Sequence, residues 1–527
     1  MSAFTMRSLA VIRDFSVDER LYLYDLTKRI KAAIQSGDRA AVDAYRANDP
    51  DMGVYQVFLE ESTRTRESFR NAARFHRFKL TNFEVGSSSF AKKESFADTF
   101  NTLTGYDNRI FIVRSRTEGL CRWLQLNGAA YAERIGLPHS PAFINAGDGK
   151  HEHPTQELLD GFTFLEDLQW STRRIHLALV GDLFHGRTVH SKVEGLSIFD
   201  EVHVDLVAPP ELAMPEHYVV AMRAAGYKVN TFESIDAYLD SGAVAPQWYF
   251  TRPQLERMGE DVLRRAAALR RAITVDRAHI QRLAQTTRFY HPLPRHKEHP
   301  TIPTGLDATP FNAWERQSAN GMLIRVALLG LISGALEGPA PRPAPAEIDD
   351  TETFIHSIHV SDGGRKHYSE GVHPIDEGVV IDHVGRGQSE ANIRRYLRLI
   401  VSVLELGGVG GEWVSTSHSG DGHLKGIVFR PRMAPPDEAF IKKLAAVAPG
   451  CTLNVISKQH VVKKYRLSAP PRIYGFDELA CTNEACVSHP SQHEGVPASF
   501  VRDAHAHYVC IYCDTPHRFN QVWSLAR

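Results

Sequence analysis

One local pattern recurs and limits the choice of fold: a short apolar strand that ends on polar or charged residues and runs into a helical segment. Val54 to Leu59 ends in Ser62-Thr63-Arg64-Thr65-Arg66, and a helical pattern follows at Glu67, Ser68, Phe69, Ala72, Ala73 and Phe75. Ile110 to Val113 ends in Arg114, and His176 to Val180 ends in Gly181-Asp182. Val202 to Val207 and Trp248 to Phe250 repeat the theme, the latter ending in Thr251-Arg252. Strands alternating with helices predict parallel α/β sheets. Such sheets bind ligands beyond the carboxyl ends of their strands, where the polar residues lie. Ser16 and Glu19 fit a capping box ahead of a helix over Leu21 to Ile30.

With 527 residues the chain is too long for one core, and length alone predicts roughly three to four domains. Pro339-Ala-Pro-Arg-Pro-Ala-Pro-Ala346 is the clearest linker, because alternating prolines favour an extended spacer. After it the order changes. Strands are expected at Gly378 to Val384, Glu412 to Thr416, Lys425 to Arg430 and Thr452 to Ile456, with helices over Glu390 to Leu406 and Pro436 to Val447. That β-α-β-β-α-β order is ferredoxin-like.

The net charge is −1, from 61 basic and 62 acidic residues, which gives no footprint for nucleic acid or an anionic membrane. The N-terminus places acidic residues where a secretory signal core would lie. Val326 to Leu336 is short of the roughly 18 to 20 apolar residues of a membrane span. A reduced cytoplasmic location is expected. Six cysteines do not make a disulfide scaffold, but four of them follow residue 480. Cys481-x4-Cys486-x23-Cys510-x2-Cys513 is a paired four-thiolate pattern that suits one structural, tetrahedral Zn²⁺ per chain. His489, His493, His505 and His507 lie inside the loop and are alternative ligands if a cysteine is not used. Cys121 and Cys451 read as buried core residues.

The Ser62 to Arg66 segment offers a helix N-terminus, hydroxyl donors and planar guanidinium forks, all suited to a phosphate. An ordinary N-cap with solvated arginines is the plainer alternative. Gly181-Asp182 lacks G-x-G-x-x-G, so a nicotinamide site is disfavoured, and no organic cofactor is expected.

The segment Phe58 to Phe69 (FLEESTRTRESF) closely resembles the carbamoyl phosphate signature of the aspartate and ornithine carbamoyltransferases. The resemblance continues in order through Ser87-Ser-Ser-Phe-Ala-Lys-Lys93, Arg114, Asn145-Ala-Gly-Asp148 and His153-Pro-Thr-Gln156. It goes on through Gly181-Asp-Leu183 with Gly186-Arg-Thr-Val-His190, Thr251-Arg-Pro-Gln254 and His291-Pro-Leu-Pro-Arg295, and covers residues 1 to about 338. It implies two doubly wound parallel-sheet domains: residues 1–150, completed by a helix near 316–338, for carbamoyl phosphate, and 151–315 for the amino acid. It also implies that Ser62, Thr63, Arg64 and Thr65 hold the phosphate, and that Arg114 bridges phosphate and carbonyl oxygen. His153 and Thr65 would donate to that oxygen, Gln156 would contact the carbamoyl amide, and Leu293 and Pro294 would complete the site. Ser89 and Lys93 would reach in from a neighbouring subunit, so a trimer or higher assembly with shared sites is implied. The family's frequent glycine between Lys93 and Glu94 is missing, so Lys92 could take part of the role of Lys93.

Arg187, Arg252 and Gln254, with Lys93 and the Leu293 carbonyl, would hold L-aspartate. Ornithine enzymes resemble His-Cys-Leu-Pro where this chain has Pro292, so aspartate is expected as the acceptor. Residues 339–347 then form the linker, 348–470 a ferredoxin-like α+β domain and 471–527 a small β-rich zinc domain. These last two resemble the regulatory chain of bacterial aspartate carbamoyltransferase, and the resemblance implies nucleotide effectors. Asp382, His383 and Lys464 match its nucleotide positions, while a second lysine falls on Phe429 with Lys425 nearby. Residues 361–373 have no counterpart. Rival readings are a carbamoyltransferase for another amine, a non-catalytic assembly or sensing subunit, and a zinc-ribbon nucleic-acid binder. The chain keeps Arg64, Lys93, Arg114, His153, Arg187 and Arg252, which disfavours a non-catalytic subunit. Its charge disfavours a nucleic-acid binder.

Overall fold

The computed structural model describes residues 2–83, 94–254, 264–341, 353–360, 375–416 and 422–524. The first sheet has strands β1 (Gly53–Phe58), β2 (Lys79–Asn82), β3 (Asn108–Ser115) and β4 (Ala142–Asp148) in the order β2-β1-β3-β4, all parallel. The second has β5 (Arg174–Val180), β6 (Glu201–Val207), β7 (Lys228–Phe232), β8 (Gln247–Phe250) and β9 (Arg288–Tyr290) in the order β7-β6-β5-β8-β9, again all parallel. Each sheet is doubly wound, so a reversal of strand order opens a crevice at the carboxyl ends. The Asn145-Ala-Gly-Asp148 motif is itself the end of β4.

The helix Val17–Ser36 starts on the expected capping box: Ser16 Oγ accepts from Glu19 N, and a Glu19 carboxylate oxygen accepts from Ser16 N at 2.7 Å. The helix Trp314–Ile332 packs against Val17–Ser36, Thr63–His76 and Pro154–Asp167, returning the chain to the first unit. The helix Pro154–Asp167 lies on β4 but also touches the turn Lys192–Gly195 of the second unit, so it straddles the join. There Lys192 is fully buried between Glu157 and Asp160, a charge cluster that ties the two units together.

The third sheet contains β10 (Ile355–Ser357), β11 (Gly378–Val384), β12 (Gly411–Thr416), β13 (Leu424–Pro431), β14 (Thr452–Ser457) and β15 (His460–Leu467). Its order, β10-β15-β14-β11-β13-β12, is antiparallel throughout. The ferredoxin-like β14-β11-β13-β12 core is present with helices Glu390–Val403 and Glu438–Val447, and β15 and β10 extend it. The last sheet is β16 (Arg472–Tyr474), β17 (Ser499–Arg502), β18 (Tyr508–Cys510) and β19 (Pro516–His517). Among the described residues no helix is long and apolar enough to cross a membrane.

The cysteine module docks on the first unit. A parallel bridge pairs Glu118 with Cys486: Glu118 N donates to Ala485 O at 2.7 Å, and Val487 N donates to Glu118 O at 2.9 Å. Beside it Gly119 sits at φ +74°, and a Cβ there would lie 2.5 to 2.6 Å from the backbone and Cβ of Tyr512. Gly119→Ala should therefore loosen this contact, adding a left-handed backbone penalty of about 1–2 kcal/mol to a steric clash. Faster amide hydrogen exchange over residues 479–523 is the expected result; unchanged exchange would contradict the tight seam.

Candidate active site and metal centre

The candidate phosphate cradle, Ser62 to Arg66, follows β1 directly. Ser62 is the N-cap of the helix Thr63–His76, yet its side chain makes no capping hydrogen bond. Its hydroxyl is thus not committed to the helix. Thr65 is 9% exposed and faces inward, while Arg64 donates to the carbonyl oxygen of Leu293 and so joins the cradle to the 291–295 loop. Leu293 sits at φ +53°, and a cis bond links it to Pro294.

Arg114, at the end of β3, donates from one terminal nitrogen to Ala146 O at 2.9 Å and from the other to a Glu60 carboxylate oxygen at 2.9 Å. The same Glu60 oxygen receives Arg187 at 3.1 Å, and Arg187 also donates to Gly149 O at 2.9 Å. Two guanidinium groups, one from each α/β unit, thus share one carboxylate. Burial and then Arg187 push Arg114 down to about 9, with Arg64 adding to the shift and Glu60 opposing it. Among the described residues its buried Nε has no partner. Gly147 leaves the space these groups need, since a Cβ there would lie 2.7 Å from Arg114 and 3.3 Å from Arg187.

His153 is buried at the start of the helix Pro154–Asp167. Burial, reinforced by Arg114, Arg187 and Arg325, holds it well below the usual histidine range, so it is neutral. Gln156 Nε2 donates to Asp160 Oδ1 at 2.8 Å, which fixes the amide and leaves its oxygen as the open acceptor. In the second unit, Gln254 N donates to Asp182 Oδ2 at 2.9 Å and its side chain to His185 O at 3.3 Å, two residues after Arg252. Burial, then the nearby cations Arg295, Arg64 and Arg252, push His291 down to about 3, which places Arg252 within electrostatic range of the same loop. Ser89, Lys92 and Lys93 lie outside the described residues.

Glu60 is the residue that sequence reasoning passes over. The signal was present: two adjacent acids, Glu60-Glu61, stand directly before a segment otherwise suited to an anion.

The four cysteines converge. Their sulfurs lie within 4.8 Å of one another and are all buried. Cys481 and Cys513 are 3.6 Å apart, and Cys486 and Cys510 are 3.8 Å apart. A tetrahedral Zn²⁺ with bonds of about 2.3 Å would separate its sulfurs by about 3.8 Å, so the set fits. Ser488 and Thr515 hydroxyls lie 3.3 and 3.1 Å from Cys486 and Cys513. His489, His493, His505 and His507 do not enter the cluster. Cys121 and Cys451 are buried core thiols, as expected. The residue after the last ligand, Asp514, pairs with Arg13 at 2.5 Å and with His151 at 3.0 Å, while His151 also holds Asp148 at 3.0 Å. Burial opposes charge on His151, but Asp148 and Asp514 hold it well above the usual range.

On β11, Asp382 pairs with Lys425 at 2.8 Å, and His383 Nδ1 lies 3.1 Å from Thr452 Oγ1. Lys425, Arg386 and Lys464 all act electrostatically on His383, so the three residues matched at the sequence level do share one cationic corner. Phe429 stands opposite Val380 in the β11–β13 pairing, and Lys425 supplies the positive charge instead.

Two crevice-forming parallel sheets, a cation cluster bridging them and a tethered cysteine module define a carbamoyltransferase with a regulatory-type appendage. Family models agree along the chain. Residues 7–166 match the aspartate/ornithine carbamoyltransferase carbamoyl-P binding domain, and 173–332 match the Asp/Orn binding domain. Residues 370–468 and 471–523 match the allosteric and metal binding domains of the aspartate carbamoyltransferase regulatory chain. A Treponema denticola protein named PyrBI is 56% identical over 526 residues, covering 99% of this chain and 98% of that one. The Thermotoga maritima PyrBI is 48% identical, with 99% of each chain covered. A Trypanosoma cruzi aspartate transcarbamoylase structure, in complex with N-(phosphonacetyl)-L-aspartic acid, is 29% identical. It superposes with a TM-score of 0.54 over 63% of this chain and 97% of that one. The chain belongs to the aspartate carbamoyltransferase family, in the form that fuses catalytic and regulatory chains, and it is a transferase with a structural zinc centre.

Because His153 is kept neutral, the kcat profile should lack a limb near the ordinary histidine pKa of about 6.5. His153→Gln, which keeps a neutral donor, should retain more activity than His153→Ala. A limb near that pH that both variants abolish would show that His153 titrates instead.

Proposed function

We propose that this chain transfers the carbamoyl group of carbamoyl phosphate to L-aspartate, giving N-carbamoyl-L-aspartate and phosphate, the second step of de novo pyrimidine (UMP) biosynthesis. The observation that carries this reading is the meeting of Arg114 and Arg187, from the two α/β units, on Glu60, with Arg64 in electrostatic reach of Arg114. Two anionic substrates need such a cluster, and a single phosphate would not need the second unit. In this reading Ser62, Thr63, Arg64, Thr65 and Arg114 hold the phosphate, and Arg187, Arg252 and Gln254 hold the two carboxylates. The neutral aspartate amine attacks the carbonyl carbon, forming the C–N bond. Negative charge builds on the carbonyl oxygen, where Thr65, Arg114 and neutral His153 donate. The C–O bond to phosphate then breaks, and the amine proton leaves with the phosphate. Gln156 accepts from the carbamoyl NH₂, and the Leu293 carbonyl holds the amine. Preorganised donors of this kind are usually the largest catalytic contribution.

The resemblance places Ser89 and Lys93 in a neighbour's site, so the working unit is a trimer or a larger assembly. Six unpaired cysteines suit a reducing cytoplasm. Purified protein should form carbamoylaspartate from these two substrates, whereas turnover only with another amine would refute the assignment. Arg64→Ala should cut the rate about 100- to 1000-fold with the fold intact. Mixing inactive Arg64→Ala and Lys93→Ala chains should restore part of the activity, and no rescue after confirmed subunit exchange would exclude shared sites.

The same proposal extends to nucleotide effectors at the Asp382, His383 and Lys464 corner. A triphosphate suits Lys425, Arg386 and Lys464, which already crowd His383. CTP or ATP should shift the aspartate saturation curve, and Lys464→Ala should weaken that shift without changing the rate in the absence of nucleotide. A flat response in the parent protein would leave this domain a structural role only.

A further inference from the structure

The second sheet carries a polar cluster that the reaction does not use. In β5 and β6, His176 stands opposite His203, and Asp205 opposite Ala178; in β7, Asn230 stands opposite Asp205. Alternate residues share a face, so His176, His203, Asp205 and Asn230 lie on the same side of three neighbouring strands. Strands of a parallel sheet covered on both faces ordinarily read as Val, Ile and Leu runs. Two histidines and an aspartate here depart from that pattern. His176 and His203 are each the third residue of a seven-residue strand, and five residues, roughly 16 Å of strand, separate His176 from Gly181.

The two imidazole rings stack with centroids 4.0 Å apart and planes within 4°. Both present Nε2 to the same carboxylate: His176 at 2.6 Å from Asp205 Oδ2 and His203 at 3.3 Å from Oδ1. The Asp205 side chain is 1% exposed, whereas those of His176 and His203 are 15% and 21% exposed. The site is therefore open to solvent on the imidazole side and fixed on the carboxylate side.

Hydrogen bonds define what each atom offers. Asn230 Nδ2 lies 3.0 Å from Asp205 Oδ1 and 2.9 Å from His203 Nε2. A carboxylate only accepts, so the Asn230 atom between them is the amide nitrogen. The same nitrogen donates to His203, whose Nε2 therefore carries a lone pair. Tyr238 OH donates to Asp205 Oδ2 at 2.6 Å and itself accepts from Ala245 N at 2.7 Å. Asp205 is thus oriented from behind, as outer hydrogen bonds orient metal-ligating carboxylates.

We propose that His176, His203 and Asp205 form a second, exchangeable divalent-cation site, separate from the four-cysteine zinc. Their ligand atoms lie within 4.8 Å of one another. Zn²⁺ with bonds of about 2.0–2.2 Å holds its ligands about 3.3–3.6 Å apart, so a small rotation of the partly exposed rings closes the set. Two imidazoles and one carboxylate suit Zn²⁺, Ni²⁺ or Co²⁺ rather than Mg²⁺ or Ca²⁺. Loading requires His176 Nε2 to give up the proton it shares with Asp205, either to solvent or by moving it to Nδ1. Three protein ligands leave the fourth position to water, so this ion exchanges while the cysteine-bound ion stays.

The test is equilibrium dialysis of the full-length protein against Zn²⁺, with bound metal counted by atomic emission. Two ions per chain are expected in the parent protein. His203→Ala, and His203→Gln as the milder change that keeps an acceptor for Asn230, should each bind one, with the carbamoylation rate unchanged. One ion per chain in the parent would overturn the proposal and leave the cluster closed on its own hydrogen bonds. A second ion that survives both His203 substitutions and His176→Ala would overturn it too, because that ion would be held by other histidines.

Discussion

Keeping three guanidinium groups in one cleft is the constraint around which the rest of the molecule is arranged. Two like charges about 5 Å apart cost about 3 kcal/mol at an effective dielectric of about 20, so the cluster needs a counter-charge until substrates arrive. Glu60 supplies it, accepting from Arg114 of the first unit and Arg187 of the second through one oxygen. That bridge spans the crevice, so the contact that neutralises the cluster also links the two sheets. The same field explains His153. Surrounded by Arg114, Arg187 and Arg325, it stays a neutral donor, the form that suits a carbonyl oxygen gaining charge.

The strand end that carries this chemistry is held from outside as well. Asp148 closes β4, accepts from Gly119 N and Glu152 N, and contacts His151. His151 reaches on to Asp514, the residue after the last zinc ligand. Between Asp514 and His153 the chain therefore interposes one buried imidazole and two peptide units. The outer face of the first sheet supports this seam. Val57, Phe111, Val113 and Phe143 share an apolar cluster with Cys486, Phe500, Tyr508 and Tyr512. The zinc centre shapes a surface that forms one wall of the first unit's core.

Much of this could be read from the sequence, and the gaps have physical causes. The central strands β1, β3, β5, β6 and β8 were legible because buried parallel strands are continuous apolar runs. The strands missed were mostly at edges or, like β15, one strand in from an edge. β2, β7 and β15 expose much of their length, so Lys79-Leu-Thr-Asn82 and His460-Val-Val-Lys-Lys-Tyr-Arg-Leu467 carry no strong apolar signal. β4 was hidden differently: it is fully buried, but Asn145-Ala-Gly-Asp148 reads as a loop motif. In the site, residue types that fit an anion were found, and Glu60 was not, because a carboxylate beside a phosphate cradle makes sense only once Arg187 is seen to approach from another sheet. Pairings across the seam, such as Glu118 with Asn483 and Arg13 with Asp514, join residues hundreds of positions apart, and no local pattern announces them.

That distance bears on why a single chain suits this seam. The contacts are largely charged: Arg13 with Asp514, His151 between two aspartates, and Glu118 receiving Asn483 at 2.6 Å and Lys150 N at 2.8 Å. Exposed pairs such as Arg13 with Asp514 contribute little, and buried ones such as His151 with Asp148 roughly break even against their desolvation. Two separate chains would have to meet an association cost estimated at 4–15 kcal/mol from such contacts together with the apolar patch. Joined through the Pro339 to Ala346 linker, the module instead meets a loop-closure cost that grows by only about 0.6 kcal/mol for each doubling of loop length. The seam can then stay polar and still remain formed. Fusion thus lowers the affinity that the contacts between the zinc module and the first unit must supply by themselves.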